Sequence, residues 1–247
     1  MLRLIVDLDP IDPALGLALE EALLGSIKNG GDDILRLWVN DRSVIIGRSQ
    51  SVGSEVDLSR LRDLSIPVIR RISGGGAVYH YPGNLNLSLF LPVTGCLGAI
   101  DITYEIIGQA IVSELSQLGI DARGEGNVIM VGKKKIAGAA QVRRGSILLY
   151  HTTLLVTPSP IPVESVLLAM QGAYESSFVA SHPRPVTSLS QVSVGITLES
   201  LVRPLSNAIA GLLGQGLEQG DCTKEDLQHA RRLRNDKYGR DEWNLSR

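Results

Sequence analysis

The sequence predicts an α+β fold of mixed, mainly antiparallel sheets flanked by helices. Two observations carry this. Apolar runs of strand length crowd the middle of the chain while helical periodicities gather mainly toward its ends, so strand and helix do not alternate as a parallel sheet requires. No internal repeat, low-complexity tract or linker divides the 247 residues, so the chain reads as one domain, 1–247.

Each element follows in order. Residues 13–27 carry Ala14, Leu15, Ala18, Leu19, Ala22 and Leu23 at helical spacing, with Pro13 suited to the first turn, and Gly30-Gly31 ends the run. Ile34–Trp38 and Val44–Ile46 are short apolar runs around Asn40-Asp41, a hairpin-like pattern. Residues 55–64 read as a helix before Pro67, and Val68–Ile72 as a buried strand stopped by Gly74-Gly75-Gly76. Asn86–Leu91 alternates polar and apolar until Pro92. A helix over 101–118 takes Asp101 or Thr103 as its cap. Val128–Val131, Ile136 and Ile147–Val156 give further strands, with turns at Gly132 and Gly145. A helix over 164–171, a loop around His182–Pro185 and helices near 199–213 and 223–236 complete the chain.

Composition narrows the function. With 44% hydrophobic and 20% charged residues and a net charge of -2, the chain lacks the basic excess of a nucleic-acid binder. At this length one core can bury about 70–75% of the unfolded chain's surface, so no staple is needed. The two cysteines, Cys96 and Cys222, lie far apart, outside disulfide or zinc spacing, and fit reduced thiols in a cytoplasm. The N-terminus carries charge too early for a signal peptide. No apolar stretch reaches membrane-spanning length.

Chemistry concentrates in two stretches. In Arg70-Arg71-Ile72-Ser73-Gly74-Gly75-Gly76-Ala77-Val78-Tyr79-His80, three glycines after a buried strand suit close backbone approach to a ligand. Their amides can form an anion nest, and two arginines stand ready for phosphate or carboxylate. A tight turn flanked by solvated charges is the alternative. The spacing excludes a P-loop and a dinucleotide fingerprint. In Gly132-Lys133-Lys134-Lys135-Ile136-Ala137-Gly138-Ala139-Ala140-Gln141, a lysine triplet on a turn is ordinarily a solvated surface. The small residues behind Lys135 nevertheless leave room for a ligand, so Lys135 can reach inward while Lys133 and Lys134 face water. Tyr150-His151-Thr152-Thr153 lies inside an apolar run, where His151 alone reads as a satisfied strand histidine. Ser49-Gln50 after Gly47-Arg48 is a further polar insertion at a strand end.

Together these segments resemble the lipoate–protein ligase A family, within the biotin/lipoate ligase and octanoyltransferase superfamily. The pattern Arg-Arg-x-Ser-Gly-Gly-Gly-Ala-Val-Tyr-His-x-x-Gly-Asn-x-Asn-x-Ser runs from Arg70 to Ser88. Ser43–Gln50, Gly132–Gln141, His151 and the tail from Lys237-Tyr238 to Glu242-Trp243-Asn244 add to the likeness, which spans nearly the whole chain and points to the archaeal type.

The resemblance implies the biotin/lipoate ligase catalytic fold, with a bent tunnel beside the glycine loop. It implies that lipoate and Mg-ATP give lipoyl-adenylate, and that a lysine of a lipoyl carrier domain then takes the lipoyl group. That carrier would be of the 2-oxoacid dehydrogenase E2 or glycine-cleavage H protein type. By the same likeness Lys135 is the catalytic cation, and Arg71, Ser73, Gly74, Gly75, Gly76, His80, Asn84, Gly138, Ala140 and His151 bind substrate or adenylate. The accessory domain of full-length ligases is expected to be a separate chain. Tyr81, Val128 and Thr152 stand where many relatives have Asp, Asp and Gly, so no metal ligand is assigned. Two other readings stay open: an octanoyl or lipoyl transferase working without ATP through a cysteine, and a non-catalytic lipoyl-adenylate-binding module.

Overall fold

The structure is a computed structural model. It describes residues 1–247 except Asn29, Gly172, Ala173, Ser177 and Phe178, and except the side chains of Lys28 and Cys96. Strand β1 (Leu2–Ile11) leads into helix α1 (Pro13–Lys28), which Asp12 caps by accepting from the Leu15 amide at 2.8 Å. β2 (Asp33–Asn40) and β3 (Ser43–Ile46) follow, then two short helices, α2 (Val52–Glu55) and α3 (Leu58–Asp63). Next come β4 (Val68–Arg70), β5 (Val78–His80), β6 (Asn84–Pro92) and α4 (Ile100–Gln117). β7 (Ala122–Glu125), β8 (Val128–Val131), β9 (Lys134–Arg144) and β10 (Ile147–Leu155) form a meander. After an irregular stretch come α5 (Leu189–Val192), α6 (Leu198–Leu213), β11 (Leu217–Gln219) and α7 (Lys224–Leu233). A π-turn over Arg234–Tyr238 leads to α8 (Asp241–Asn244).

Eight strands form one sheet in the order β11-β1-β2-β6-β10-β9-β8-β7, and β4-β3-β5 form a second. In the large sheet only the β1/β11 and β1/β2 joints are parallel. The mixed, mainly antiparallel α+β expectation therefore holds. α4 and α6 pack over one face with Leu85, Leu87, Leu89, Leu148 and Leu154, while α1 and α7 cover the other with Trp38, Phe90 and Leu149.

Strand alternation places the site. The polar positions of β6, Asn86 and Ser88, point to the α1 side because Leu85, Leu87 and Leu89 fill the opposite core. Register then sets Ser88, His151 and Ala140 in one row, and Asn86, Thr153 and Gly138 in the next.

Several expectations are corrected. The runs at 34–38 and 44–46 are not a hairpin: β2 joins the large sheet, while β3 pairs with β4 and β5. The helix expected over 55–64 breaks at Val56-Asp57, because the Asp57 carboxylate accepts from the Ser59 and Arg60 amides and starts a new helix. The helix over 164–171 is two 3₁₀ turns, Val163–Ser165 and Leu168–Met170. α4 takes neither Asp101 nor Thr103 as cap. Ala99 occupies that place, and the Thr103 hydroxyl donates back to the Ala99 carbonyl at 2.8 Å.

Candidate active site

A cavity of about 830 Å³ opens between the large sheet, the glycine loop and the irregular stretch before α5. Arg71, Gly75, Gly76, His80, Lys135, Gly138, Ala140 and His151 all reach its wall. Ser73 and Asn84 stand behind it, and Gly74 is exposed outside the lining. Ser73 and Asn84 are fully buried, and Asn84 donates to the Tyr79 carbonyl at 3.1 Å.

The two arginines of the motif part company. Arg70 turns away from the cavity and donates to the carbonyls of Gly47, Gln50 and Trp243, tying β4 to the preceding loop and the C-terminal helix. Arg71 faces the loop. Its guanidinium donates to the Gly74 carbonyl at 2.6 Å, the Gly76 carbonyl at 2.8 Å and the Ser73 hydroxyl at 3.0 Å. Burial lowers its pKa to about 10, with Glu20 working the other way, so it stays cationic.

These bonds hold the loop carbonyls inward. Among the described residues the amides of Gly74, Gly75 and Gly76 donate to no protein acceptor, which leaves them for an anion. Gly75 has φ +83°, and a Cβ on Gly47 would lie 2.1 Å from the Gly75 carbonyl oxygen. Only glycine permits either arrangement without rebuilding the loop.

Lys135 reaches the cavity because of a bulge. β8 pairs Ile129 with Ala137 but Met130 with Lys135, so Ile136 is an extra residue. Ile136 and Ala137 both enter the α4-side core, and the phase flip turns Lys135 to the other face. Its ammonium lies where a Cβ on Gly138 would sit 2.5 Å away, and it makes no hydrogen bond or ion pair among the described residues. Burial, then the Arg71 charge, lower its pKa to about 8. Lys133 and Lys134 are exposed, as expected.

Two buried networks floor the cavity. His80 accepts from Asn40 at 3.2 Å and donates to Thr153 at 3.0 Å, while Thr153 donates to Asn86 at 2.8 Å. Burial, reinforced by the Arg71 charge, lowers the His80 pKa to about 3, so the ring is neutral. His151 joins Ser73 at 2.7 Å and Glu20 at 2.9 Å.

A third cluster pins Tyr174 and Ser181 beside the loop. Ser181 accepts from the Ala77 amide at 2.9 Å and from Gln50 at 3.1 Å, and donates to Glu55 at 2.6 Å. Tyr174 also donates to Glu55. Sequence reasoning missed Glu20, Glu55 and Ser181. An acidic pair, Glu20-Glu21, inside an otherwise apolar helix was the available signal for the first.

Cys222 is half-buried, absent from the cavity wall, and burial raises its thiol pKa to about 11. The Cys96 side chain falls outside the described residues. Among the described residues no group of three or more His, Cys, Asp or Glu could hold a metal ion, and no helix is long and apolar enough to cross a membrane.

The cavity wall combines Arg71, Gly75, Gly76 and Lys135 with the apolar Leu17, Trp38, Ile45 and Val78, a lining suited to a ligand with an anionic head and an apolar tail. The chain belongs to the lipoyl protein ligase A/B catalytic domain family, which it matches over residues 12–210. It is 32% identical over 256 residues to lipoate-protein ligase A subunit 1 of Thermoplasma acidophilum, covering 98% of this chain and 96% of that one. It is similar to the bi-partite lipoate protein ligase of the same organism, solved in a study of an archaeal lipoylation system with its E2 lipoyl domain. That likeness has a TM-score of 0.84 at 31% identity and covers 99% and 95% of the two chains. A lipoate-protein ligase A bound with ATP superposes with a TM-score of 0.85 at 30% identity, over 98% of each chain.

Proposed function

We propose that this chain is a lipoate–protein ligase that activates lipoate with ATP and delivers the lipoyl group to a lysine of a lipoyl carrier domain. The observation that carries this reading is that the Lys135 ammonium and the glycine-loop amides, without partners among the described residues, belong to one cavity that Lys135, Gly75 and Gly76 line. In the first step a lipoate carboxylate oxygen attacks the α-phosphorus of ATP and pyrophosphate leaves. In the second the carrier's lysine amine attacks the carbonyl of the mixed anhydride, an amide forms and AMP leaves. Each step gathers negative charge on oxygens between the acyl carbonyl and the α-phosphate. A fixed cation in a water-poor site stabilises it there. Lys135 takes that role.

Gly74, Gly75 and Gly76 offer amides to the phosphate, with Arg71 and Ser73 holding the loop. His80, Asn84, Gly138, Ala140 and His151 shape the pocket. Magnesium would ride on the triphosphate. Of the wall carboxylates among the described residues, Glu20 and Glu164, Glu20 is committed to His151 and Ser88, and no group of three or more His, Cys, Asp or Glu could hold a metal, so the protein would supply no carboxylate cage for it.

Lipoate, ATP and the E2 lipoyl domain are what the similar ligases are named for or were solved with. The bi-partite relative supports a separate accessory subunit as a second partner. The transferase reading needs a cysteine thiolate; Cys222 has neither the position nor the pKa, and Cys96, whose side chain lies outside the described residues, is the cysteine left to that reading. The test is to mix the purified chain with ATP, lipoate and a lipoyl domain, with and without an accessory subunit. ATP-dependent gain of one lipoyl group on the domain, with pyrophosphate released, is expected. Acylation from acyl-carrier protein alone would replace the ligase reading with the transferase.

A further inference from the structure

Two chains of hydrogen bonds end on one buried carboxylate at the cavity floor. From one side the Trp38 indole N–H donates to Ser88 at 2.9 Å, and the Ser88 hydroxyl donates to Glu20 Oε1 at 2.7 Å. From the other, Arg71 Nε donates to Ser73 at 3.0 Å, and Ser73 Oγ lies 2.7 Å from His151 Nε2. His151 Nδ1 lies 2.9 Å and 3.1 Å from the two Glu20 oxygens. Glu20 is only 1% exposed.

Proton accounting leaves one arrangement for a neutral imidazole. An ionised carboxylate only accepts, so Nδ1 carries the hydrogen and Nε2 is an acceptor. Ser73 already accepts from Arg71, so its single proton points at Nε2. Burial pushes the Glu20 pKa up, but the charge of a protonated His151, the His151 and Ser88 hydrogen bonds and the Arg36 charge outweigh it and lower it; with the imidazole neutral, the two hydrogen bonds and Arg36 are what still favour the anion.

Three parts of the fold meet in this chain: α1 through Glu20, β10 through His151, and the glycine loop through Ser73 and Arg71. We propose that Glu20 is a positioning residue for the glycine loop: its carboxylate fixes the His151 tautomer, and His151 in turn seats Ser73 and the Arg71-held loop whose amides receive the nucleotide. Neither Glu20 nor Ser73 performs chemistry in this scheme. An acid that fixes the tautomer of a histidine behind a working group is a recurring device.

The inference rests on the ligase reading for its kinetic arm alone. In nitrogen-15 spectra of the free protein, in mildly alkaline buffer, wild-type His151 is expected to carry its proton on Nδ1. In Glu20→Leu nothing accepts from Nδ1–H, so the bias toward that tautomer is lost, a form protonated on Nε2 gains population, and in it Ser73 has no acceptor. In pyrophosphate release kcat/KM for ATP should drop about 10–100-fold, the range seen when a partner that orients a working ligand is removed, while KM for the lipoyl domain stays unchanged. Ser73→Ala breaks the last link and should lower kcat/KM for ATP with the His151 tautomer intact, which guards against a Glu20 variant that fails to fold. A wild-type His151 protonated on Nε2, or wild-type kcat/KM for ATP in folded Glu20→Leu, overturns the proposal. The spectra need no substrate, so a protein that released no pyrophosphate would refute the ligase reading and leave the tautomer measurement standing.

Discussion

The glycine loop and the β8–β9 hairpin line the same cavity but are built in opposite ways. In the loop nearly every polar side chain is committed to protein: Arg71 to the carbonyls of Gly74 and Gly76, Ser73 to His151, Ser181 to the Ala77 amide. What remains free is backbone. On the hairpin the backbone is paired in the sheet, and the group that reaches the cavity without a partner among the described residues is a side chain, the Lys135 ammonium. A loop that must hold a polyanion in one geometry benefits from rigidity. A cation that must follow charge from the activation step to the transfer step benefits from having no competing partner.

The largest expected effect comes from breaking the loop. A valine at Gly75 must adopt φ +83°, with its Cβ 3.1 Å from the Arg71 guanidinium, so Gly75→Val should abolish nucleotide or adenylate binding while the protein stays folded. Calorimetry on folded Gly75→Val showing undiminished affinity would reduce the loop to a turn.

Next comes the cation. Lys135→Ala should slow activation or transfer by about 3–4 kcal/mol of barrier, the order of one electrostatic stabiliser lost from a desolvated site. Equal single-turnover rates for the two proteins would remove the role. Because its pKa is lowered to about 8, Lys135 is cationic below that pH and neutral above it. kcat/KM for lipoate should therefore fall as pH rises through about 8, and a profile flat into the range of an ordinary lysine would contradict the free, desolvated ammonium.

A finer probe moves the cation without removing it. The Cβ of Gly138→Ala would meet the Lys135 ammonium, a flexible end that can shift. The fold should survive, while kcat drops about 10–100-fold, as for a misplacement of about an ångström. Smallest of all is Lys133→Ala. Its exposed side chain lies outside the cavity wall, so pyrophosphate release should stay within about 0.5 kcal/mol of wild type. A larger loss would show that the turn acts as a charged unit and not through Lys135 alone.

Much of this was legible in the chain. Alternation in Asn84–Pro92 and Ile147–Leu155 fixes which side chains share a face, because successive residues of a strand point to opposite sides. The glycine triplet marks a backbone that must come close to something. Small residues at Gly138 and Ala140 mark space, and the structure aligns them with Thr153 and His151. What sequence could not supply is phase and partnership. Strict alternation would place Lys135 with Ala137 and Ala139 in the apolar core. Only the bulge at Ile136 turns it into the cavity, and a bulge is decided by how two strands pair. Arg70 and Arg71 read alike, yet packing sends one to backbone carbonyls near the C-terminus and the other to the glycine loop. Glu20 looks like a misplaced acid in an apolar helix until α1 lies on the sheet and its carboxylate meets His151, 131 residues away in sequence. Composition and period are properties of the chain and set the elements and their faces. Which buried charges meet is set by contacts far apart in sequence, and the tertiary structure alone decides them.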